Sequence, residues 1–235
     1  VGSTDSTNFT VLVSINDSTF KTVSNGGRVQ NINAFDVNFY SDSGYTSLLN
    51  WETESYDPVN GIGAFWVNIP TVSHTTDTLF YMKFGDSFIT TFQGGSIGSA
   101  WASDYKGVWH YPNGATLSTA DSTINANSGI GSTVSAGTGI IGGGVVLTNP
   151  SSVKIPSSAN YDSTTGSWSL WIKTSQSISS GTAKLIMARS NSTSRSGISL
   201  SIYNVGITGH FVAQVYNATV NVYSNTGTEG PQIND

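Results

Sequence analysis

Short runs in which apolar and polar residues alternate recur along this chain, and turn residues separate them. The first run extends from Phe9 to Ile15, and its odd-numbered residues share one face, as in a strand with one side buried. The turn residues Asn16–Ser18 follow directly. Ser, Thr, Asn and Gly are abundant and form helices poorly, because they compete for backbone hydrogen bonds or cost backbone entropy. The pattern therefore predicts an all-β fold of antiparallel strands.

The predicted strands fall into two groups. In the first group we expect strands at Phe9–Ile15, Phe35–Tyr40, Leu48–Tyr56, Gly63–Ile69 and Thr78–Phe84. In the second we expect Gly107–Tyr111, Ile140–Leu147, Ser152–Ile155, Ser167–Thr174, Lys184–Arg189, Gly197–Asn204, His210–Tyr216 and Ala218–Ser224. A less regular, Gly-rich segment separates the groups. We predict two antiparallel β-sandwich modules, residues 1–92 and 107–235, joined by a connector at 93–106.

Two further features of the second group are expected. Trp168–Lys173 does not alternate cleanly, so we expect a central strand covered on both faces. The stretch Asp121–Gly139 is rich in Ser, Thr, Asn and Gly, which is typical of a long surface loop.

Charge and composition exclude several function classes. Charged residues make up 10% of the chain, against about 25% in a typical soluble domain. The formal net charge is -5 and the few Lys and Arg are scattered, so we expect no nucleic-acid partner. The longest apolar run, Ile140–Leu147, is far shorter than the roughly 20 residues of a membrane span, so none is expected. Without Cys, neither a thiol nucleophile nor a disulfide is available.

One pair of acidic residues allows a catalytic interpretation. Glu52 and Glu54 lie two residues apart on a predicted strand, so their side chains share a face, roughly 7 Å apart at the backbone. Retaining glycosidases need carboxyl groups about 5 to 5.5 Å apart. The alternative, which we favour, is a pair of solvent-facing charges at a strand edge. His74, His110 and His210 lack metal-ligand spacing, so we expect structural or surface histidines, no metal, no cofactor and no enzyme.

Two sets of motifs resemble known families. Residues 1–92 resemble a small β domain of unknown function from bacterial, archaeal and phage surface proteins, through Phe9–Ile15, Asn25–Asn31, Phe35–Phe39, Glu52–Asp57 and Phe65–Pro70. Residues 107–235 are similar to the laminin-G or concanavalin A-like (jelly-roll) sandwich, through Val108–His110, Asp121–Asn127, Ile141–Val145 and Ser167–Lys173. The family's Asp-rich segment is replaced here by Thr148–Ser152, which speaks against a calcium site.

The resemblance implies a surface protein. It implies a non-catalytic structural or adhesion role, and we expect a phage virion component such as a decoration, fibre or tail protein. The alternatives are a secreted bacterial or archaeal carbohydrate-binding adhesin and an accessory domain of a polysaccharide-degrading enzyme. Expected partners are other virion or cell-surface proteins, glycans and further copies of the chain. The resemblance also implies that the chain, which opens at Val1, is an excerpt whose second sandwich is truncated and leaves a sheet edge unpaired.

We expect a glycan site on loops and not on strands. An exposed indole can stack on a sugar face while loop amides and carboxylates supply hydrogen bonds. Most of the Trp residues lie in predicted strands, where they are core residues, whereas the flanks of Trp101 are irregular. We therefore predict glycan contacts in the loops 121–127 and 191–195. The candidate residues are Trp101, Asp121, Asn125, Asn127 and Asn191.

Overall fold

The computed structural model of the chain describes residues 2–112, 117–148, 150–161, 165–174, 183–191, 196–205, 208–216 and 221–225. The chain divides into two compact units, Val1–Trp171 and Ile172–Asp235. Regular structure in the described residues consists of strands and three short 3-10 helices, Ser18–Phe20, Val23–Asn25 and Ala159–Tyr161. The predicted all-β fold is confirmed. No helix in these ranges is long and apolar enough to cross a membrane.

Thirteen strands are described. The first unit contains β1 (Ser6–Asn16), β2 (Asn38–Tyr40), β3 (Trp51–Asp57), β4 (Ile62–Val72), β5 (Tyr81–Lys83), β6 (Ile130–Ser132), β7 (Ser135–Thr138), β8 (Gly143–Val146) and β9 (Ser152–Lys154). The second unit contains β10 (Ala183–Asn191), β11 (Ser196–Val205), β12 (Thr208–Tyr216) and β13 (Asn221–Asn225).

The main sheet of the first unit has the order β1-β4-β3, and both pairings are antiparallel. Val67 of β4 lies opposite Val11 on one side and Trp51 on the other. The turn that joins β3 to β4 follows from its sequence: the Asp57 carboxylate accepts hydrogen bonds from the backbone N–H groups of Val59 and Asn60 at 2.9 and 3.0 Å. This hairpin places β3 beside β4, and the pairing of β1 with the other side of β4 makes β4 the central strand.

One hydrophobic core lies between this sheet and the antiparallel pair β2–β5. Phe65 is fully buried at its centre, with ring centroids 5.7 Å from both Trp51 and Phe39 and 5.9 Å from Phe20. Aromatic side chains bury large apolar areas, so these four rings dominate the stabilisation of the first unit. The buried members of the core are Phe20, Val29, Ala34, Val37, Phe39, Leu49, Trp51, Phe65, Val67 and Ile69.

A buried carboxylate holds the loop that precedes β2. Asp36 is 1% exposed and accepts hydrogen bonds from the backbone N–H groups of Gln30, Asn31 and Gly85, each at 2.9 Å. Three such bonds compensate for the loss of water around the charge. The carboxylate thus joins the chain before β2 to the chain after β5.

The remaining strands form two two-stranded sheets in the first unit and one four-stranded sheet in the second. In the first unit β6 pairs with β9 and β7 with β8, both antiparallel. In the second unit β10, β11, β12 and β13 form an antiparallel meander in sequence order. Alternating sequences with short connections favour such neighbour pairing.

The structure corrects three local predictions. The described residues 107–111 and 165–174 contain no strand, although strands were predicted there. Trp171 is 75% exposed, not covered on both faces. The predicted surface loop 121–139 contains the strands β6 and β7 and the buried residues Asp121 and Thr123. Local composition did not predict the missing strands because a strand also needs a pairing partner. It did not predict the buried polar residues because a polar side chain is buried only where hydrogen-bond partners surround it.

Candidate functional site

A β-bulge in edge strand β3 positions the two glutamates. Thr53 lies opposite Phe65 and Ser55 opposite Ala64, so Glu54 is an extra residue without a partner in the ladder. A bulge bends its strand and redirects the side chain of the additional residue. Glu54 is buried and Glu52 half-buried.

The segment after residue 93, predicted as a connector, is bound to the same sheet. The Gly94 carbonyl accepts the Trp51 N–H at 2.9 Å. The Ala100 carbonyl accepts the Thr10 hydroxyl at 2.6 Å and the Asn68 amide at 3.4 Å. These bonds hold the chain over the sheet immediately before Trp101.

His110 lies between the two carboxylates. Its Nε2 is 2.7 Å from Oε1 of Glu52, and its Nδ1 contacts Oε2 of Glu54. The indole N–H of Trp101 donates to the same Glu52 oxygen at 2.8 Å, and the indole N–H of Trp66 donates to the same Glu54 oxygen at 2.8 Å. We call these five residues the Glu-His-Glu cluster. Each carboxylate uses one oxygen to accept from one indole and from the imidazole.

Two indole rings flank the imidazole. The ring centroid of His110 lies 5.7 Å from that of Trp101 and 6.0 Å from that of Trp66, and the ring planes are inclined by 39° and 35°. An aromatic face attracts a nearby cation. The rings therefore favour a protonated imidazole and shield it from water.

The charge state of the cluster follows from these contacts. Burial of the His110 side chain, which is 15% exposed, disfavours its protonated form, but the hydrogen bonds and charges of Glu52 and Glu54 outweigh burial and raise the pKa of His110 to about 9. At neutral pH the imidazolium donates through both ring nitrogens. The cluster then contains one cation between two anions.

The turn between β7 and β8 closes the cluster from another side. Gly142 in this turn has φ +66°, and a Cβ at this position would lie 2.6 Å from Oε1 of Glu54. Only glycine combines this backbone conformation with so close an approach. Oε1 of Glu54 is buried and has no hydrogen-bond partner among the described residues.

The cluster resembles neither an open acid-base pair nor a metal centre. Both nitrogens of His110 are occupied, so the imidazole has no free position from which to transfer a proton to a substrate. The described residues contain no group of three or more His, Asp or Glu side chains arranged to hold a metal ion. The arrangement is a charged clamp between strand β3 and the segment that carries Trp101 and His110.

Part of the clamp was foreseen from the sequence. Glu52 and Glu54 were expected on one face, and both side chains do contact His110. The expectation that both face solvent is wrong, because the Glu54 side chain is only 2% exposed. The role of His110 was missed, since it follows Glu52 by 58 residues and no local pattern links them.

Asp121, predicted to contact glycans, organises its own loop. Its Oδ1 accepts from the backbone N–H groups of Val108 at 3.0 Å and Thr123 at 2.9 Å. Its Oδ2 accepts from the Thr123 hydroxyl at 3.0 Å and the Asn127 N–H at 2.8 Å. Asp121 is 6% exposed, so its carboxylate is engaged within the protein.

The other predicted glycan residues are distributed over both units. The side-chain amides of Asn125 and Asn127 donate to the backbone carbonyl of Lys106, each at 3.4 Å. Trp101 is half-buried, with its ring centroid 5.0 Å from that of Tyr105. These loops bring Trp101, Asp121, Asn125 and Asn127 into one region of the first unit. Asn191 ends β10 in the second unit, and the rest of its loop, 192–195, lies outside the described residues.

Comparison with known proteins gives no assignment. No protein-family model, curated protein or solved structure matches this chain at a significant level. The resemblance of residues 1–92 and 107–235 to surface-protein families therefore stays a prediction, and so does glycan binding at the five residues named for it.

Proposed function

We propose that this chain is a non-catalytic structural or adhesion protein of a virion or cell surface. In this proposal residues 1–92 form a small β-sandwich domain and residues 107–235 form a concanavalin A-like sandwich. The β1-β4-β3 sheet and the β2–β5 pair, which enclose one core, support the first sandwich. The four-stranded meander β10–β13 is compatible with part of the second.

One observation carries the non-catalytic part of the proposal. The only pair of carboxylates that the sequence offered for glycosidase chemistry is occupied by His110, Trp101 and Trp66. A glycosidase needs one carboxyl group free to protonate the leaving group and another free to attack the sugar or activate water. Here each carboxylate accepts two internal hydrogen bonds instead. These contacts support a stabilising role for the cluster.

Composition and module order support the surface location. The chain is kept soluble by hydroxyls and amides, since only 10% of its residues are charged. The resemblance adds a surface context for both modules. In this role the clamp ties the segment that carries Trp101 and His110 to strand β3, and exposed loops bind other virion or cell-surface proteins and glycans.

A cleavage screen tests the proposal. Neutral and acidic polysaccharides are incubated with the wild type and with the double variant Glu52→Gln, Glu54→Gln, and new reducing ends and unsaturated products are measured. We expect the same background signal from both proteins. Cleavage by the wild type that disappears in the double variant, while circular dichroism shows an intact fold, would overturn the non-catalytic assignment and favour a polysaccharide-degrading enzyme.

A structure of the chain in its native assembly tests the location. We expect a repeated, symmetric contact with a shell, tube or cell-surface layer. Exposed loops at 121–127 in that assembly support adhesion, and the same loops buried against the shell support a structural role. A chain found in no surface assembly contradicts both.

A further inference from the structure

Three tyrosines form a partly exposed aromatic patch on the β2–β5 side of the first unit. Tyr40 and Tyr81 lie opposite each other in the β2–β5 ladder. The ring centroid of Tyr45 lies 5.5 Å from that of Tyr40 and 6.4 Å from that of Tyr81, with interplanar angles of 82° and 84°. Tyr45 is 43% exposed, whereas the other two are half-buried. Edge-to-face contacts of this kind fix the orientation of the exposed ring.

The backbone under Tyr45 is strained and firmly held. Tyr45 has φ 57°, a left-handed conformation that is unfavourable for a bulky residue. The Asp42 carboxylate accepts hydrogen bonds from the N–H groups of Gly44, Thr46 and Ser47, at distances down to 2.7 Å. Strain that the surroundings maintain is characteristic of functional positions. The loop thus presents the Tyr45 ring in one orientation at a cost in stability.

Lys83 adds a positive charge to the patch. Its Nζ lies 5.9 Å from the ring centroid of Tyr45, and its side chain is exposed. No carboxylate of the described residues forms an ion pair with it. The Asp42 carboxylate, three residues before Tyr45, accepts hydrogen bonds from its own loop. The patch therefore combines a fixed aromatic ring with a cation that forms no ion pair with a described carboxylate.

From this combination we propose that Tyr40, Tyr45, Tyr81 and Lys83 form a binding site for a saccharide that carries a carboxylate. A pyranose ring presents an apolar C–H face that packs on an aromatic ring, and its hydroxyls match the phenolic groups. The carboxylate of a uronate or sialate supplies the negative charge that can pair with the Lys83 ammonium group. The inference rests on the proposed adhesion role and assigns it to a site in the first unit.

The Tyr patch suits a ligand better than the region around Trp101. The Trp101 N–H donates to Glu52, and its ring packs against those of Trp66, His110 and Tyr105. A ligand at Trp101 would compete with the clamp. Tyr45 takes part in none of the hydrogen bonds of the Glu-His-Glu cluster, so a ligand at Tyr45 leaves the clamp intact.

Binding to an array tests the proposal. The array carries oligosaccharides that contain uronate or sialate beside their carboxyl-reduced neutral forms, and it is probed with the intact wild-type chain. We expect binding to acidic members and at least tenfold weaker binding to the neutral forms. Lys83→Gln should reduce binding to acidic members to the neutral level. Equal binding to both forms, or no binding to either, would overturn the proposal.

Tyr45→Asn separates binding from folding. Asn tolerates the left-handed conformation, so this variant should unfold at a higher temperature than the wild type and yet lose at least tenfold in affinity. Phe9→Ala removes another exposed ring, which is 49% exposed on β1, and should bind as the wild type does. Unchanged affinity of Tyr45→Asn contradicts the site. If the saccharide site is refuted in this way, the non-catalytic assignment still stands, because the cleavage screen tests that assignment separately.

Discussion

Nε2 of His110 lies 2.7 Å from Oε1 of Glu52, although 58 residues separate them in the chain. The contact joins an edge strand of the first sheet to a segment without regular structure. With Glu54 on the other ring nitrogen, the imidazolium neutralises charge that burial would otherwise make costly. His110 therefore makes a large contribution to the stability of this region.

Removal of the cation should destabilise the protein strongly. His110→Ala leaves Glu52 and Glu54 facing each other without their common partner, and breaking a buried ion pair costs about 3 to 5 kcal/mol. Urea denaturation of both proteins measures the difference. The matched control is His74→Ala, which breaks a partly exposed pair with Asp5 and should have a much smaller effect. Equal losses in the two variants would show that the Glu-His-Glu cluster is not a clamp.

The same cluster should make stability depend on pH above neutrality. The pKa of His110 is raised to about 9 in the folded protein, compared with 6.5 for an unperturbed histidine. The folded state therefore binds the proton more tightly than the unfolded state, and the resulting stabilisation is complete below about pH 6.5 and is lost as pH rises through about 9. The free energy of unfolding should fall across this window in the wild type. Gln does not titrate, so in His110→Gln the free energy of unfolding should no longer show this decrease between about pH 6.5 and 9.

Gly142 should tolerate no side chain. Gly142→Ala combines the cost of an alanine at φ +66° with a Cβ 2.6 Å from Oε1 of Glu54. Gly26→Ala is the control, since Gly26 has φ +86° and a Cβ there meets nothing within 4 Å. The control should cost about 1 to 2 kcal/mol from backbone strain alone, and Gly142→Ala should cost more. Thermal denaturation of the two variants compares them, and equal costs would contradict the close packing over Glu54.

Asp36 should contribute far more to the stability of the fold than Asp42, although both carboxylates accept several backbone hydrogen bonds. Asp36→Asn replaces one acceptor oxygen of a buried carboxylate by an amide nitrogen that cannot accept, and hydrogen bonds to charged groups contribute about 1.5 to 3 kcal/mol. Asp42→Asn makes the same change on an exposed loop, where water replaces the lost bond. Chemical denaturation should show a substantial loss only for Asp36→Asn. Comparable losses would mean that burial of Asp36 has no energetic weight.

Local patterns predicted the strongest elements of the fold. The expected strands Phe9–Ile15 and Gly63–Ile69 lie within β1 and β4, because the strand preference of β-branched and aromatic residues is a local property. The expected burial of one face is wrong at the start of β1, where Phe9 is 49% exposed and Thr10 is buried. Gly107–Tyr111 has the same strand-like composition but forms no strand, since its N–H and side-chain groups bind Asp121 and the glutamates instead. Composition alone does not distinguish these outcomes.

The sequence by itself determined the all-β class, the hairpin turn at Asp57–Gly61 and the shared face of Glu52 and Glu54, because each depends on neighbours only a few residues away. The tertiary structure decided the rest of the site. It placed Glu54 in a bulge, brought His110 between the two carboxylates and enclosed the charges under Gly142. The physical reason is that burial and pKa depend on groups that meet only when distant segments close on one another, and no local window contains both partners.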